Sequence, residues 1–253
     1  MTAPTNGLLE ACGLGLDYGA FTAVGRVDLQ LGARGLHALI GPNGAGKTSF
    51  FNLVSGRFPA SRGRLLLSGR DITRLPAHAR ARLGMARSFQ VTSLFPESSV
   101  EDNLQIAALG MQSDRALRFW SEWRREEASR EQARAVMREL DLQTLAAQRV
   151  GRLSHGLQRV VEIGMCLAAR PRLLLLDEPL AGLGLADVPR IGELLRTLKQ
   201  HYAILLVEHN VRVVMGISDR ISVMFQGNVV AEGTPEEVRS HPEVRRVYLG
   251  SKG

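Results

Sequence analysis

Apolar positions along this chain follow two rhythms. Leu8 to Leu16, Val24 to Leu31 and Gly63 to Ser68 are short, Gly-punctuated stretches rich in strand formers, and Gly35 to Ile40 is an apolar run feeding a Gly-rich loop. That run predicts a strand, loop, helix unit. From Val100 to about Ala169 apolar residues recur at helical spacing among many charges, including Arg115 to Leu140, and few strand candidates remain. A helical subdomain inserted into the core is expected there. Beyond it, Arg172 to Leu176 and Ala203 to Val207 are apolar runs separated by a helical stretch from Asp187 to Gln200, the rhythm of a parallel α/β sheet. No internal repeat, low-complexity tract or long linker marks a second independent domain.

An apolar content of 45% over 253 residues suffices for a buried core. The purest apolar runs, Leu173 to Leu176 and Ile204 to Val207, are far shorter than the roughly 20 residues needed to cross a bilayer, so any membrane role is expected to be peripheral. Met1 to Glu10 lacks the basic stretch and apolar core of a secretory signal, and export is not expected. Cys12 and Cys166 form neither a disulfide framework nor a metal-ligand cluster, which points to a reducing cytoplasm. The net charge of +7 comes almost wholly from Arg, since Lys47, Lys199 and Lys252 are the only lysines. These arginines are scattered among Glu and Asp rather than gathered in a patch or arm, so no nucleic-acid partner is expected.

Chemistry concentrates at two places. Residues Gly41, Pro42, Asn43, Gly44, Ala45, Gly46, Lys47 and Thr48 spell GPNGAGKT, followed by Ser49, between an apolar strand and a helix. Glycines in such a loop let backbone amides curl around phosphates, and the helix adds its positive N-terminal end. Lys47 reaches the outer phosphates, and Thr48 offers a hydroxyl to Mg2+. The second place is RLLLLDEP, Arg172 to Pro179, an apolar strand that delivers Asp177 and Glu178 at its C-terminal edge, where ligands bind in such sheets. Asp177 would hold Mg2+ through water, and Glu178 would orient or deprotonate an attacking water. The two motifs together predict ATP hydrolysis.

Leu153 to Arg159, LSHGLQR, resembles the signature of ABC ATPases. In that family the residues matching Ser154 and Gly156 open a helix that grips the γ-phosphate bound by the other subunit, as a helix N-terminus can. Tyr18 in DYG resembles the aromatic that stacks on adenine. Gln90 in RSFQ resembles the residue linking Mg2+ and the attacking water to the helical subdomain, and His209 in LLVEHN resembles the switch histidine at the γ-phosphate. The resemblance runs from Tyr18 to the closing VYLG, Val247 to Gly250. It implies one ABC ATPase domain over 1–253, an α/β P-loop NTPase (RecA-like) core with an N-terminal antiparallel β subdomain. The core would span 1–93 and 168–253, with the helical subdomain at 94–167.

The resemblance further implies ATP and Mg2+ as cofactors, and a homodimer or a heterodimer with a similar ATPase subunit. Multi-spanning membrane permease subunits and, indirectly, a solute-binding protein complete the implied assembly on the cytoplasmic face of the cell membrane. Two positions depart from the family pattern: Leu157, where Gln or Glu is common in the signature, and Gly184, where the loop after the acidic strand commonly carries Asp or Asn. The run from Ala86 to Leu104, the EIGM after the signature and the EHN, VMGISDRI, EGTPEEV and VYLG segments look like uptake systems for branched-chain amino acids. Urea or short-chain amide importers and the lipopolysaccharide-export ATPase subunit are alternatives of similar pattern, and a soluble ABC ATPase acting on DNA or ribosomes is a more distant one. Phe119, Trp120 and Trp123 would either line a groove for a partner's cytoplasmic helix or lie buried within the helical subdomain.

Overall fold

Three apolar runs become the centre of a six-stranded sheet. In the computed structural model, which describes residues 7–88, 94–110 and 127–249, β3 (Gly35–Ile40), β7 (Leu173–Asp177) and β8 (Ala203–Val207) lie side by side in parallel. The full order is β10-β9-β3-β8-β7-β6, with β6 (Met85–Arg87) parallel at one edge and β9 (Arg220–Phe225) parallel beside β3. At the far edge β10 (Asn228–Gly233) pairs antiparallel with β9. Both faces of the central strands are covered, which is why these runs are apolar at every position rather than alternating. Leu174, Leu176, Ile204 and Leu206 point into one cluster, and Leu173, Leu175, Leu205 and Val207 into the other.

The N-terminal stretches form a second, antiparallel sheet in the order β2-β1-β4-β5: β1 (Leu9–Tyr18), β2 (Phe21–Leu31), β4 (Arg62–Leu67) and β5 (Arg70–Asp71). Helix α1 (Lys47–Ser55) runs between the two sheets, and Phe50, Phe51, Leu53 and Val54 fill the cluster they share. After α1 the chain forms α2 (Ala77–Arg82), whose Arg80 is 2% exposed. The Arg80 guanidinium donates to the carbonyls of Leu53, Val54, Thr73 and Leu75. A cation thus sits at the C-terminal end of α1, where the helix dipole favours it, and burial pushes its pKa down to about 10.

The apolar cluster on the opposite face of the large sheet is completed by helices. They are α3 (Val100–Gly110), α4 (Glu127–Glu139), α5 (His155–Ala168), α6 (Asp187–Leu198) and α7 (Val211–Ile217), followed by α8 (Pro235–Ser240) and α9 (Pro242–Leu249). Between Val100 and Ala168 the described residues contain no strand, only a bridge between Ser99 and Arg149. A Cβ at Gly164 of α5 would come within 2.8 Å of Leu140 and 2.9 Å of Leu104, so glycine lets α3 and the end of α4 close onto α5. Of the helix expected over Arg115 to Leu140, the described part is α4; Phe119, Trp120 and Trp123 lie outside the described residues, as does Gln90.

Candidate functional site

The phosphate loop leaves the buried end of β3 and is shaped by contacts that admit only glycine at two positions. Gly41 has φ 152°, and a Cβ there would fall 2.2 Å from the Met224 carbonyl oxygen; Gly46, with φ 99°, would meet the Ala23 carbonyl at 2.6 Å. Gly46 caps the N-terminus of α1. The loop is tied down by the tight turn between β9 and β10: Gly227 N–H donates to Ala45 O, and Gly25 N–H donates to Gly227 O. Gln226 and Gly227 both have positive φ. That pattern is the primed turn favoured in two-residue hairpins, and Gln-Gly between RISVMF and NVVAEG is a signal for this hairpin that went unused at the level of sequence. Tyr248 of α9 lies against the Gly41 backbone, and burial pushes its phenol up to about 12.

Lys47, in the first turn of α1, is buried and folds back to donate to the carbonyls of Gly41 at 2.8 Å and Pro42 at 2.9 Å. Burial pulls its pKa below the usual lysine value, while the negative fields of Glu178 and Asp177 act the other way. The loop amine and the two acids therefore share one electrostatic environment. Thr48 is exposed and Ser49 half-buried in the same turn.

Asp177 ends β7 and is 1% exposed. One carboxylate oxygen, Oδ2, accepts from Arg87 at 3.0 Å, and Oδ1 is buried with no hydrogen-bond partner. Burial raises the Asp177 pKa, and Arg87 opposes that shift. Glu178 follows with φ 50°, in the left-handed region that side chains with a Cβ adopt only at a cost. Its N–H donates to Val207 O at the end of β8. Its Oε1 lies 2.6 Å from Nε2 of His209.

His209 is presented by a turn that Glu208 organises. Glu208 is 3% exposed; its Oε2 accepts from the N–H groups of His209 and Asn210, and its Oε1 accepts from Leu180 N–H just past Glu178. One buried carboxylate thus fixes both loops that carry the Glu178–His209 pair. Glu208 and Arg87 went unassigned in the sequence because Leu180, the partner that ties Glu208 to the Glu178 loop, and the partners of Arg87 lie far along the chain.

Tyr18 ends β1, is half-exposed and meets Phe58 edge to face at 6.2 Å. Ser154 caps α5, its Oγ accepting from Leu157 N–H at 3.4 Å. A Cβ on Gly156 would fall 2.3 Å from Oδ1 of Asp187, so glycine lets α6 abut the start of α5. Among the described residues no hydrogen bond joins Ser154 or Gly156 to the phosphate loop. Lys47, Asp177, Glu178 and His209 converge, whereas Ser154 and Gly156 open α5 against the start of α6.

The convergence suits a phosphorylated ligand with a divalent cation. Glycine-shaped backbone, a helix N-terminus and a buried amine face phosphates, and the unpartnered Asp177 Oδ1 is an acceptor for a cation's hydration shell. Among the described residues no cluster of three His, Cys, Asp or Glu side chains could hold a metal alone. A cation held here would take the ligand's own phosphates as further partners, as Mg2+ at nucleotide sites does.

Comparison with known proteins gives the same picture. Residues 24–181 match the family model described as ABC transporter, and residues 228–253 match that of the branched-chain amino acid ATP-binding cassette transporter. The high-affinity branched-chain amino acid transport ATP-binding protein LivG of Escherichia coli is 39% identical over 250 residues, covering 96% of this chain and 98% of LivG. The lipopolysaccharide export system ATP-binding protein LptB of Acidithiobacillus ferridurans is 36% identical over 246 residues, covering 97% and 98%. Among solved structures, the ADP conformation of MJ1267, an ATP-binding cassette of an ABC transporter, superposes with a TM-score of 0.88 at 30% identity, covering 98% of this chain and all of that one. Its fold is accordingly that of the P-loop NTPases, and the chain belongs to the ABC transporter family of ATP-binding cassettes.

Proposed function

We propose that this ATPase subunit drives uptake of branched-chain amino acids, working with a second ATPase subunit beneath multi-spanning permease subunits on the cytoplasmic face of the cell membrane. The observation that carries the ATPase reading is the meeting of Lys47, Asp177, Glu178 and His209 at one sheet edge. The cargo rests on the family match at residues 228–253 and on the likeness to LivG, whose cargo is named. No helix among the described residues is long and apolar enough to cross a membrane. We assign the core to 1–93 and 168–253 and the helical subdomain to 94–167.

In this reading Lys47 gives up its bonds to the Gly41 and Pro42 carbonyls and turns to the outer phosphates of ATP, while the backbone N–H groups from Asn43 to Ser49 surround them. Tyr18 stacks on the adenine. Thr48 and Asp177, and Gln90 by its resemblance, would hold Mg2+, which would supply neutralisation of phosphate charge. Glu178 Oε1 accepts a proton from the attacking water, and His209 holds that carboxylate and contacts the γ-phosphate. Ser154 and Gly156 serve a nucleotide held by the facing subunit, in keeping with their distance in connectivity from the loop.

The test is radiolabelled uptake in cells lacking this chain. Loss of leucine, isoleucine and valine uptake, restored by the wild-type chain and not by Glu178→Gln, is expected. Loss of urea or short-chain amide uptake instead, with leucine uptake intact, would replace the cargo assignment.

A further inference from the structure

Arg87 is a polar link between the acidic strand and the phosphate-loop helix. It lies on the edge strand β6, and its guanidinium reaches in three directions. Nη2 donates to Asp177 Oδ2 at 3.0 Å, and Nη1 donates to Asn52 Oδ1 and Ser55 Oγ, each at 2.7 Å. The guanidinium carbon stands 4.8 Å from the Phe51 ring centroid. Asn52, Ser55 and Phe51 all belong to α1, whose first turn carries Lys47 and Thr48. The neighbouring Ser88 adds a backbone clamp, its Oγ accepting from Asp177 N–H at 3.2 Å.

We propose that Arg87 is a positioning residue that occupies Asp177 Oδ2, so that Oδ1 alone is presented to a hydrated Mg2+ at a fixed distance from the first turn of α1. The inference rests on the ATPase reading above. An arginine fork can take both oxygens of one carboxylate. Here one arm goes to the acid and the other to the helix, which leaves Oδ1 buried and unpartnered. A carboxylate held on one side and free on the other is how an outer partner sets the direction of a metal-facing group. Lysine, a point charge with no planar fork, cannot span Asp177, Asn52 and Ser55 in the same way.

The experiment follows binding of a fluorescent ATP analogue to the full chain by anisotropy, first in EDTA and then as Mg2+ is titrated. In Arg87→Gln the metal-free affinity is expected to stay within about twofold of wild type, while the Mg2+ concentration for half-maximal enhancement rises about tenfold, the usual effect of losing an outer partner. Arg87→Lys is expected to recover part of that loss. An unchanged Mg2+ requirement in folded Arg87→Gln would overturn the proposal. So would an equal loss of affinity with and without Mg2+, the mark of a purely structural brace. If Arg87→Gln does not fold, Asn52→Ala with Ser55→Ala leaves the arginine in place but frees it from α1. A raised Mg2+ requirement there supports the proposal, and a wild-type requirement overturns it. A wild-type chain that binds the analogue with no Mg2+ dependence would remove the cation reading of Asp177 itself.

Discussion

His209 Nε2 stands 2.6 Å from Glu178 Oε1, although 31 residues separate the two in the chain. The contact exists because β7 and β8 are parallel neighbours whose C-terminal ends turn out together, and because Glu208 pins both turns.

Glu178→Gln is expected to keep ATP binding while lowering steady-state hydrolysis by at least about a hundredfold, since the amide matches the acid in shape but accepts no proton. Phosphate release and equilibrium binding, measured on the same preparation, check this. Turnover within about twofold of wild type would remove Glu178 from the catalytic role.

Lys47→Ala is expected to lose tight ATP binding, because the loop loses its main counter-charge to the outer phosphates. Wild-type affinity for labelled ATP in this variant would remove the site assignment.

The left-handed backbone of Glu178 gives a stability test independent of activity. Glu178→Gly should melt higher than Glu178→Ala, because only glycine adopts φ 50° freely; the expected difference is about 1 kcal/mol. Calorimetry on the pair reads it, and equal melting would show that the segment relaxes in solution.

The phosphate loop and the central strands were legible in the sequence because each is a local pattern. GPNGAGKT follows an apolar run, and β3 and β8 fall at the expected bounds of Gly35 to Ile40 and Ala203 to Val207. What stayed hidden was long-range. The partner of Arg87 is 90 residues away, that of the Glu208 Oε1 atom 28 residues, and β6 has only three residues, too few to show a period. The positive φ of Glu178 has no signature in residue type, since nothing but the surrounding strand ends imposes it.

Arg80→Met is expected to destabilise the fold by about 3 kcal/mol or more. It strands four carbonyls that the guanidinium satisfies and leaves an apolar tip among them. Urea unfolding measures the loss, and a change below about 1 kcal/mol would mean that water replaces the guanidinium.

Mixing Lys47→Ala with Ser154→Arg tests whether each ATP needs both residues from different chains. Each variant alone is expected to be inactive, whereas a two-fold dimer of one of each retains one intact loop facing one intact signature and recovers partial ATPase activity. No rescue at any mixing ratio, with mixed dimers confirmed by differential tagging, counts against composite sites.

The pairing of Gly35 with Ala203 and of His37 with Arg220 has a consequence for birth rather than for work. When β3 and its loop leave the ribosome, neither of the strands that will flank them exists. At about 5–20 residues per second, roughly 170 further residues take on the order of ten to thirty seconds to emerge. Throughout that interval the nascent strand exposes Leu36, Leu39 and Ile40 with both edges unpaired, which makes the unfinished chain a client for chaperones at this apolar segment.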